Sequence, residues 1–88
     1  MDWVYRFDER ALNELKKLGH PAQRDILAYL DERVAGRAGP RRFGKGLKAD
    51  LAGLWRYRVG DYRILCQIKD RVLLVLVVAV GHRRAVYG

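Results

Sequence analysis

Residues 54–68 read LWRYRVGDYRILCQI, two runs of alternating side chains separated by the dipeptide Gly60-Asp61. A two-residue connection that includes glycine is typical of a tight β-hairpin, so the two runs are predicted to be paired antiparallel strands. The short turn also sets the register, which places Arg58 directly opposite Arg63. No other segment restricts the fold as much, because this register decides which side chains share one face of a sheet.

The predicted hairpin has one apolar face and one basic face, since successive side chains of a strand point to opposite sides. The apolar face would contain Trp55, Tyr57, Val59, Tyr62, Ile64, Cys66 and Ile68, and the other face Arg56, Arg58, Arg63 and Gln67. Like charges opposite each other destabilise a strand pair unless water screens them or an anion binds there. Both explanations fit, but further cations at Arg83 and Arg84, after the neighbouring strand, favour an anion such as phosphate.

The N-terminal part of the chain is predicted to form one strand and two helices. Residues Asp2 to Phe7 alternate as a short strand, and Asp8 is a typical helix N-cap. Apolar residues then recur at helical spacing, first at Ala11, Leu12, Leu15 and Leu18 and then at Ala22, Ile26, Leu27, Leu30 and Val34. Gly19 is expected to end the first helix and Pro21 to begin the second, which makes a helical hairpin.

The most hydrophobic segment, VLLVLVVAV at 72–80, is predicted to be a central strand covered on both sides. A turn at Asp70-Arg71 precedes it, so the element order becomes β-α-α-β-β-β. This order predicts an α+β protein in which an N-terminal helical hairpin packs on a small, mainly antiparallel four-stranded sheet. A chain of 88 residues is expected to form a single domain, residues 1–88.

Glycines and cations dominate residues 36–53, which are predicted to be a loop. The segment contains five glycines together with Arg37, Arg41, Arg42, Lys45 and Lys48. Such a segment is either a solvated connection or part of a surface that binds a phosphate backbone, and the sequence alone leaves both open.

The charge of the chain points to a polyanionic partner. Lys and Arg number 18 against 10 Asp and Glu, a net charge of +8, and 13 of the 18 cations are arginine. Arginine binds phosphate through a planar fork and stacks on bases, so nucleic acid, or an acidic protein that masks the same surface, is favoured over a merely solubilising role.

Cysteine content and hydropathy indicate a soluble protein in the cytoplasm. Cys66 is the single cysteine, which excludes an internal disulfide and fits a reducing compartment. The longest apolar run is far below the ~20 residues that a membrane helix needs, and the N-terminus has no signal-peptide pattern. We therefore expect a cytoplasmic protein without membrane contact.

The residue inventory limits the chemistry to routes without a metal or cofactor. His20, Cys66 and His82 are too scattered for a zinc site, and acidic residues such as Glu14 fall in the helical half, where surface ion pairs are the ordinary explanation. Cleavage of RNA by its own 2′-hydroxyl remains possible. Arginines supply cations but stay protonated, so His82 and Tyr87 are the titrating candidates; each is equally well explained as a strand-end or packing residue.

Four segments resemble the RelE toxins of the RelE/ParE superfamily: FDERALNELKKLG (7–19), LWRYRVGDYRILCQI (54–68), the hydrophobic strand VLLVLVVAV (72–80) and GHRRAVY (81–87). The resemblance covers nearly the whole chain and implies the same β-α-α-β-β-β fold. It also implies a ribosome-dependent mRNA interferase, the toxin half of a bacterial toxin–antitoxin pair. Such toxins cut the mRNA codon in the ribosomal A site without a metal and leave a 2′,3′-cyclic phosphate.

The resemblance also implies roles for individual residues. By matching position, Arg56 and Arg58 would contact RNA and assist catalysis, Arg63 and Arg83 would stabilise the transition-state charge, and Tyr87 would stack on or orient the substrate. His82 stands where the best-known members have lysine. The predicted catalytic set is therefore Arg58, Arg63, Arg83, His82 and Tyr87, and the predicted RNA-binding set is Arg56, Lys45, Lys48 and Arg84.

The implied partners are the 70S ribosome with its mRNA and a cognate, RelB-like antitoxin. The antitoxin is expected to fill a hydrophobic groove with an amphipathic helix and to meet the basic face with an acidic segment. The toxin–antitoxin complex is expected to bind operator DNA through the antitoxin.

Two other functions stay open at this point. The first is a ParE-like inhibitor of DNA gyrase on the same fold, which would not need the constellation of Arg58, Arg63, Arg83 and Tyr87. The second is a non-catalytic module whose basic face only docks an acidic partner.

Overall fold

A computed structural model describes residues 1–86 of the chain. Five strands and two main helices follow one another, with short 3₁₀ turns at Pro40–Arg42, Ala49–Leu51 and Asp70–Val72. The strands are β1 (Val4–Phe7), β2 (Lys45–Gly46), β3 (Trp55–Val59), β4 (Tyr62–Lys69) and β5 (Leu74–His82), and the helices are α1 (Glu9–Lys16), α2 (His20–Tyr29) and the single turn α3 (Arg83–Val86).

The strands form one sheet in the order β1-β5-β4-β3-β2. β1 runs parallel to β5, and every other pair is antiparallel. The predicted α+β class with a mainly antiparallel sheet is confirmed, but the sheet has a fifth strand, β2, within the segment that was predicted to be a loop. Two residues are too few to leave an alternating pattern, so sequence periodicity could not reveal this strand.

Each helix begins as its local sequence dictates. The Asp8 carboxylate caps α1 by accepting a hydrogen bond from the Ala11 N–H at 2.8 Å. Gly19 does not end α1, which stops at Lys16; it is the extended N-cap of α2, with Pro21 in the first turn. The apolar stripe of α2 continues through a π-helical turn, Leu30–Val34.

The hairpin has the predicted register. The pairs are Val59 with Tyr62, Arg58 with Arg63, Tyr57 with Ile64, Arg56 with Leu65 and Trp55 with Cys66. Gly60 has φ +58°, a conformation that glycine adopts without strain. The two-residue turn and the two-residue side-chain period therefore determined the faces of both strands.

β5 contains a bulge that keeps its valines in the core. Leu65 pairs with Ala79 but Cys66 pairs with Val77, so Val78 is an extra residue on β5. Val75, Val77 and Val80 are consequently all buried, although the last spacing is three residues and not two.

Helices α1 and α2 pack on one face of the sheet. The core on that face comprises Ala11, Leu15, Ile26, Leu30, Val34, Tyr57, Ile64, Cys66, Val75, Val77 and Val80. The prediction that the last strand is covered on both sides differs from the described structure, where Leu74 and Leu76, on the face away from α1 and α2, are only partly buried. On that face Leu65 of β4 is buried. This second face, the open face, carries the arginines of the hairpin. None of the helices described is long and apolar enough to cross a membrane.

Candidate functional site

Two rows of side chains run across the open face beside the Gly60 turn. The first row contains Arg58 of β3, Arg63 of β4 and Gly81 of β5, and the second contains Lys45, Arg56, Leu65 and Ala79 of β2 to β5. Directly opposed side chains have Cβ atoms about 4.5–5.5 Å apart, so the members of each row are neighbours. We call these residues the basic rows. Their cations lie on β2, β3 and β4, and the small residues Gly81 and Ala79 lie on β5.

The first row carries two cations, Arg58 and Arg63. Arg58 is exposed, while Arg63 is partly buried and donates from Nη1 to the carbonyl oxygen of Tyr62 at 3.3 Å. Within residues 1–86, no carboxylate forms a salt bridge with Arg58 or Arg63; those present involve Arg10, Arg37 and Arg41. Two adjacent guanidinium groups that pair with no carboxylate of residues 1–86 are an arrangement that favours anion binding.

The chain after β5 is attached to the hairpin turn, which brings two more cations to this end of the sheet. The Arg83 N–H donates to the carbonyl oxygen of Asp61 at 2.7 Å. Arg83 and Arg84 are both exposed in the first residues of α3. The sequence predicted that these arginines follow the neighbouring strand, and the structure adds the hydrogen bond that holds them beside the turn.

His82 faces away from the basic rows. It pairs with Tyr62, contacts that ring edge-to-face at 6.1 Å, and so lies on the side of the sheet opposite to Arg63. Its Nδ1 accepts a hydrogen bond from the Arg84 N–H at 3.3 Å. Of the other predicted residues, Lys48 lies beyond β2, and Tyr87 is outside the described residues.

A carboxylate of α1 supports the strand that leads to Arg83. Glu14 Oε1 accepts a hydrogen bond from the Val80 N–H at 2.9 Å, on the edge where β5 continues beyond its last pair with β1. Glu14 also lies 3.7 Å from Arg10, the surface ion pair that sequence reasoning expected. The contact with Val80 was missed because it spans 66 residues and depends on where β1 ends.

Two aromatic side chains hold the loop that precedes β2. The buried Tyr57 hydroxyl donates to the Pro40 carbonyl oxygen at 2.6 Å, and Trp55 Nε1 donates to the Phe43 carbonyl oxygen at 2.8 Å. Burial raises the pKa of Tyr57, so the phenol remains a donor. Gly44 has φ +74°, and a Cβ there would lie 2.7 Å from Trp55 Nε1. Only glycine lets the loop pass this close to β3.

A cleft of about 380 Å³ opens where β2 stops and β3 continues. Its lining consists of Tyr29, Phe43, Gly44, Lys45, Arg56 and Arg58. We call it the edge cleft; it shares Lys45, Arg56 and Arg58 with the basic rows. A larger cleft, about 540 Å³, lies against the polar face of α1 and contains no member of the rows.

Arginines stack on the aromatic rings near the edge cleft. The Arg33 guanidinium carbon is 5.6 Å from the centre of the Tyr29 ring and 5.1 Å from that of Phe43, and the Arg42 carbon is 5.1 Å from Phe43. Sequence reasoning did not single out Tyr29 or Phe43, because one lies in a helix and the other in a glycine-rich loop.

Metal-binding clusters and reactive cysteines are the other features that could support catalysis. No group of three His, Cys, Asp or Glu side chains within residues 1–86 is arranged to hold a metal ion. The Cys66 thiol is fully buried, and this burial raises its pKa, so it is not a nucleophile in the folded protein.

The chain is similar to toxins of known toxin–antitoxin systems. A family model described as the ParE toxin of the type II toxin–antitoxin system parDE matches residues 5–87. Toxin RelG of Mycobacterium tuberculosis is 37% identical over 89 residues, which cover 99% of this chain and 98% of that protein.

Solved structures show the same fold. The toxin in a RelBE toxin–antitoxin complex from Mycobacterium tuberculosis matches with a TM-score of 0.80 at 30% identity, over 94% of this chain and 93% of that one. An Escherichia coli RelE toxin in the free state, in which two arginines are replaced by alanine, matches with a TM-score of 0.78 at 28% identity, over 98% and 88% of the two chains.

Proposed function

Because this chain belongs to the RelE/ParE superfamily of type II toxins, we propose that it is a ribosome-dependent mRNA endoribonuclease of the RelE type. It cuts mRNA in the ribosomal A site without a metal and so inhibits translation. The RelE and RelG relatives support this assignment at the level of the family. At the level of the site, the observation that carries it is the first basic row, in which Arg58 and Arg63 stand side by side next to Gly81.

The surface beside these arginines, where β5 contributes Gly81 and Ala79, suits a scissile phosphate. In the proposed reaction the 2′-oxygen of one nucleotide attacks the adjacent phosphorus, and the bond from phosphorus to the 5′-oxygen of the next nucleotide breaks. The products are a 2′,3′-cyclic phosphate and a free 5′-hydroxyl. Arg58, Arg63 and Arg83 stabilise the added negative charge of the pentavalent transition state. Gly81 and Ala79 have little or no side chain, so RNA can lie close to the sheet.

The site has fewer groups for proton transfer than for stabilising negative charge. The 2′-hydroxyl must lose a proton and the leaving 5′-oxygen must gain one, and guanidinium groups stay protonated. His82 is turned toward Tyr62, on the other face from the basic rows, so Tyr87 is the remaining titrating residue among those predicted to be catalytic. We therefore expect the purified protein to cut free RNA weakly at physiological salt and to depend on the ribosome for positioning.

A type II toxin is paired with an antitoxin, and this chain fits an acidic one. The RelBE structures from Mycobacterium tuberculosis and Escherichia coli are toxin–antitoxin complexes. The basic rows would be covered by an acidic segment, and the apolar residues Leu74 and Leu76 on the open face by an amphipathic helix. The proposal includes a cytoplasmic location, binding to the 70S ribosome with its mRNA, and binding of operator DNA by the complex through the antitoxin.

The test is controlled expression in bacteria with mapping of mRNA 5′ ends against the reading frame. The wild-type chain should produce cuts at a fixed position within codons. Arg63→Ala should reduce cutting about 10²–10³-fold, as loss of one donor to transition-state charge does in other enzymes. Arg71→Ala is the matched control, because Arg71 is exposed in the turn at the opposite end of β4 and should leave cutting unchanged. The proposal is refuted if the cuts have no relation to the reading frame, or if Arg63→Ala and Arg71→Ala cut mRNA equally well.

The second candidate is a ParE-like inhibition of DNA gyrase, which we keep because the matching family model is described as a ParE toxin. A supercoiling assay with purified gyrase, run beside the mapping of mRNA ends, separates the two. Loss of supercoiling at toxin concentrations that leave mRNA intact would assign the chain to gyrase. If Arg63→Ala and Arg83→Ala both remained toxic, a non-catalytic binding module would be the better description.

A further inference from the structure

We propose that the edge cleft is a nucleotide subsite that binds the base and phosphate of an unpaired RNA nucleotide next to the cleaved bond. This inference rests on the proposed function, since it assumes that the first basic row holds the scissile phosphate. Arg58 belongs to that row and also lines the edge cleft. RNA bound across the row would therefore continue directly into the cleft.

The aromatic side chains are the first argument. Phe43 is partly exposed in the wall of the cleft, and its ring carries the guanidinium groups of Arg33 and Arg42, each 5.1 Å from its centre. Tyr29 forms a second wall, and Arg33 also contacts its ring. Stacks of aromatic rings and guanidinium planes are the surfaces on which proteins place unpaired bases.

The charge of the cleft is the second argument. Lys45, Arg56 and Arg58 all line it, and no acidic side chain is part of its lining. The volume of about 380 Å³ lies within the range of about 300–1,000 Å³ that is usual for small-ligand sites. A nucleotide is the ligand class that offers both a flat base to the rings and an anion to these cations.

The rigidity of the loop is the third argument. Hydrogen bonds from Tyr57 and Trp55 hold the carbonyl groups of Pro40 and Phe43, and Gly44 brings the loop against β3. Phe43 is thus presented from a backbone that is fixed before any ligand binds, which lowers the entropy cost of binding. An acidic peptide would neutralise the same cations but would leave the stacked rings without a function, so we favour RNA.

The experiment compares two short oligonucleotides that cannot be cleaved because every 2′-hydroxyl is methylated. One carries bases throughout, and the other has the same phosphates with one abasic position. Affinities are measured by fluorescence anisotropy at low salt for wild type, Phe43→Leu, Phe43→Tyr and Lys45→Ala. Phe43→Leu keeps apolar bulk but removes the π face, and Phe43→Tyr keeps the ring. Thermal unfolding of each variant checks that the fold is retained.

The wild type should bind the oligonucleotide with all its bases about 10-fold or more tightly than the abasic one. Phe43→Leu should abolish this difference, Phe43→Tyr should preserve it, and Lys45→Ala should weaken binding of both oligonucleotides alike. A base dependence that survives in Phe43→Leu, or that is absent in the wild type, overturns the proposal. The proposal is also overturned if Phe43→Leu binds RNA as tightly as the wild type but loses affinity for an acidic antitoxin peptide.

These outcomes are separate from those of the mRNA-mapping test. If in-frame cuts are absent but the base dependence is present and needs Phe43, the cleft binds nucleotides and the proposed nuclease function fails. If in-frame cuts occur and Phe43→Leu changes neither binding nor the base preference around the cut, the nuclease function stands and the subsite fails.

Discussion

Replacing Tyr57 with phenylalanine tests how the loop beside the edge cleft is held. The Tyr57 side chain is 0% exposed, and its hydroxyl donates to the buried Pro40 carbonyl oxygen at 2.6 Å. Tyr57→Phe keeps the ring but leaves this acceptor without its donor. Loss of one hydrogen bond costs about 1 kcal/mol, and a buried acceptor without a partner costs about 1–3 kcal/mol.

We therefore expect the free energy of unfolding to fall by about 2 kcal/mol. In a domain of this size each kcal/mol lowers the midpoint by about 4–8 °C, so Tm should fall by about 8–16 °C. The measurement is thermal unfolding at pH 7, followed by circular dichroism, with urea unfolding as a second estimate.

Tyr5→Phe is the matched control. The Tyr5 hydroxyl also donates a hydrogen bond of 2.6 Å, to the Asp31 carboxylate, but this bond is exposed. Water can replace the phenol at Asp31, whereas it cannot reach Pro40, so Tyr5→Phe should cost clearly less than Tyr57→Phe. Equal losses in the two variants, or a Tm of Tyr57→Phe within about 2 °C of wild type, would show that the buried contact does not hold the loop.

Three further predictions concern other parts of the molecule. Glu14→Ala should speed hydrogen exchange at the Val80 N–H and lower the rate of mRNA cutting, and Glu14→Gln, whose amide oxygen can still accept, should restore both. Partial burial and the bond to Asp31 raise the pKa of Tyr5 from 10.0 to about 12. The folded state thus favours the protonated phenol, so Tyr5 contributes stability that is lost as the pH rises from 10 to 12. The midpoint of urea unfolding should therefore fall less over this pH range in Tyr5→Phe than in the wild type. Cys66 should react with a thiol reagent only after unfolding; rapid labelling of the native protein would contradict its burial.

Predictions from the sequence were most accurate where the structure depends on residues that are close together in the chain. The two-residue turn at Gly60 and the alternation on either side of it determined the pairing of Arg58 with Arg63 before any tertiary contact was known. The carboxylate of Asp8 likewise capped α1 as its position predicted. In both cases the relevant partners lie within a few residues along the chain, so their spacing carries the information.

The parts that sequence reasoning missed depend on contacts between distant segments. The bulge at Val78 exists because β5 must pair with β4 and also bury three valines, a compromise that strict alternation does not contain. The same bulge and the end of β1 create the place where Glu14 binds β5. Phe43 reaches the edge cleft only because Trp55 and Tyr57 hold its loop. The roles predicted for Arg58, Arg63, Arg83 and Tyr87 stay predictions until cutting is measured.

Because α1 and α2 pack on one face of the sheet, substitutions on its two faces are expected to be selected for different reasons. Substitutions on the covered side, at Ile64 or Val77 for example, are filtered by whether the polypeptide folds at all. Substitutions at Arg58, which is exposed on the opposite face, should leave folding nearly unchanged and should be selected through toxicity alone. Bacteria that survive expression of randomly mutated copies should therefore fall into two groups, one that accumulates soluble protein and one that does not. Mapping the two groups onto the sheet would trace the functional surface without any assumption about the substrate.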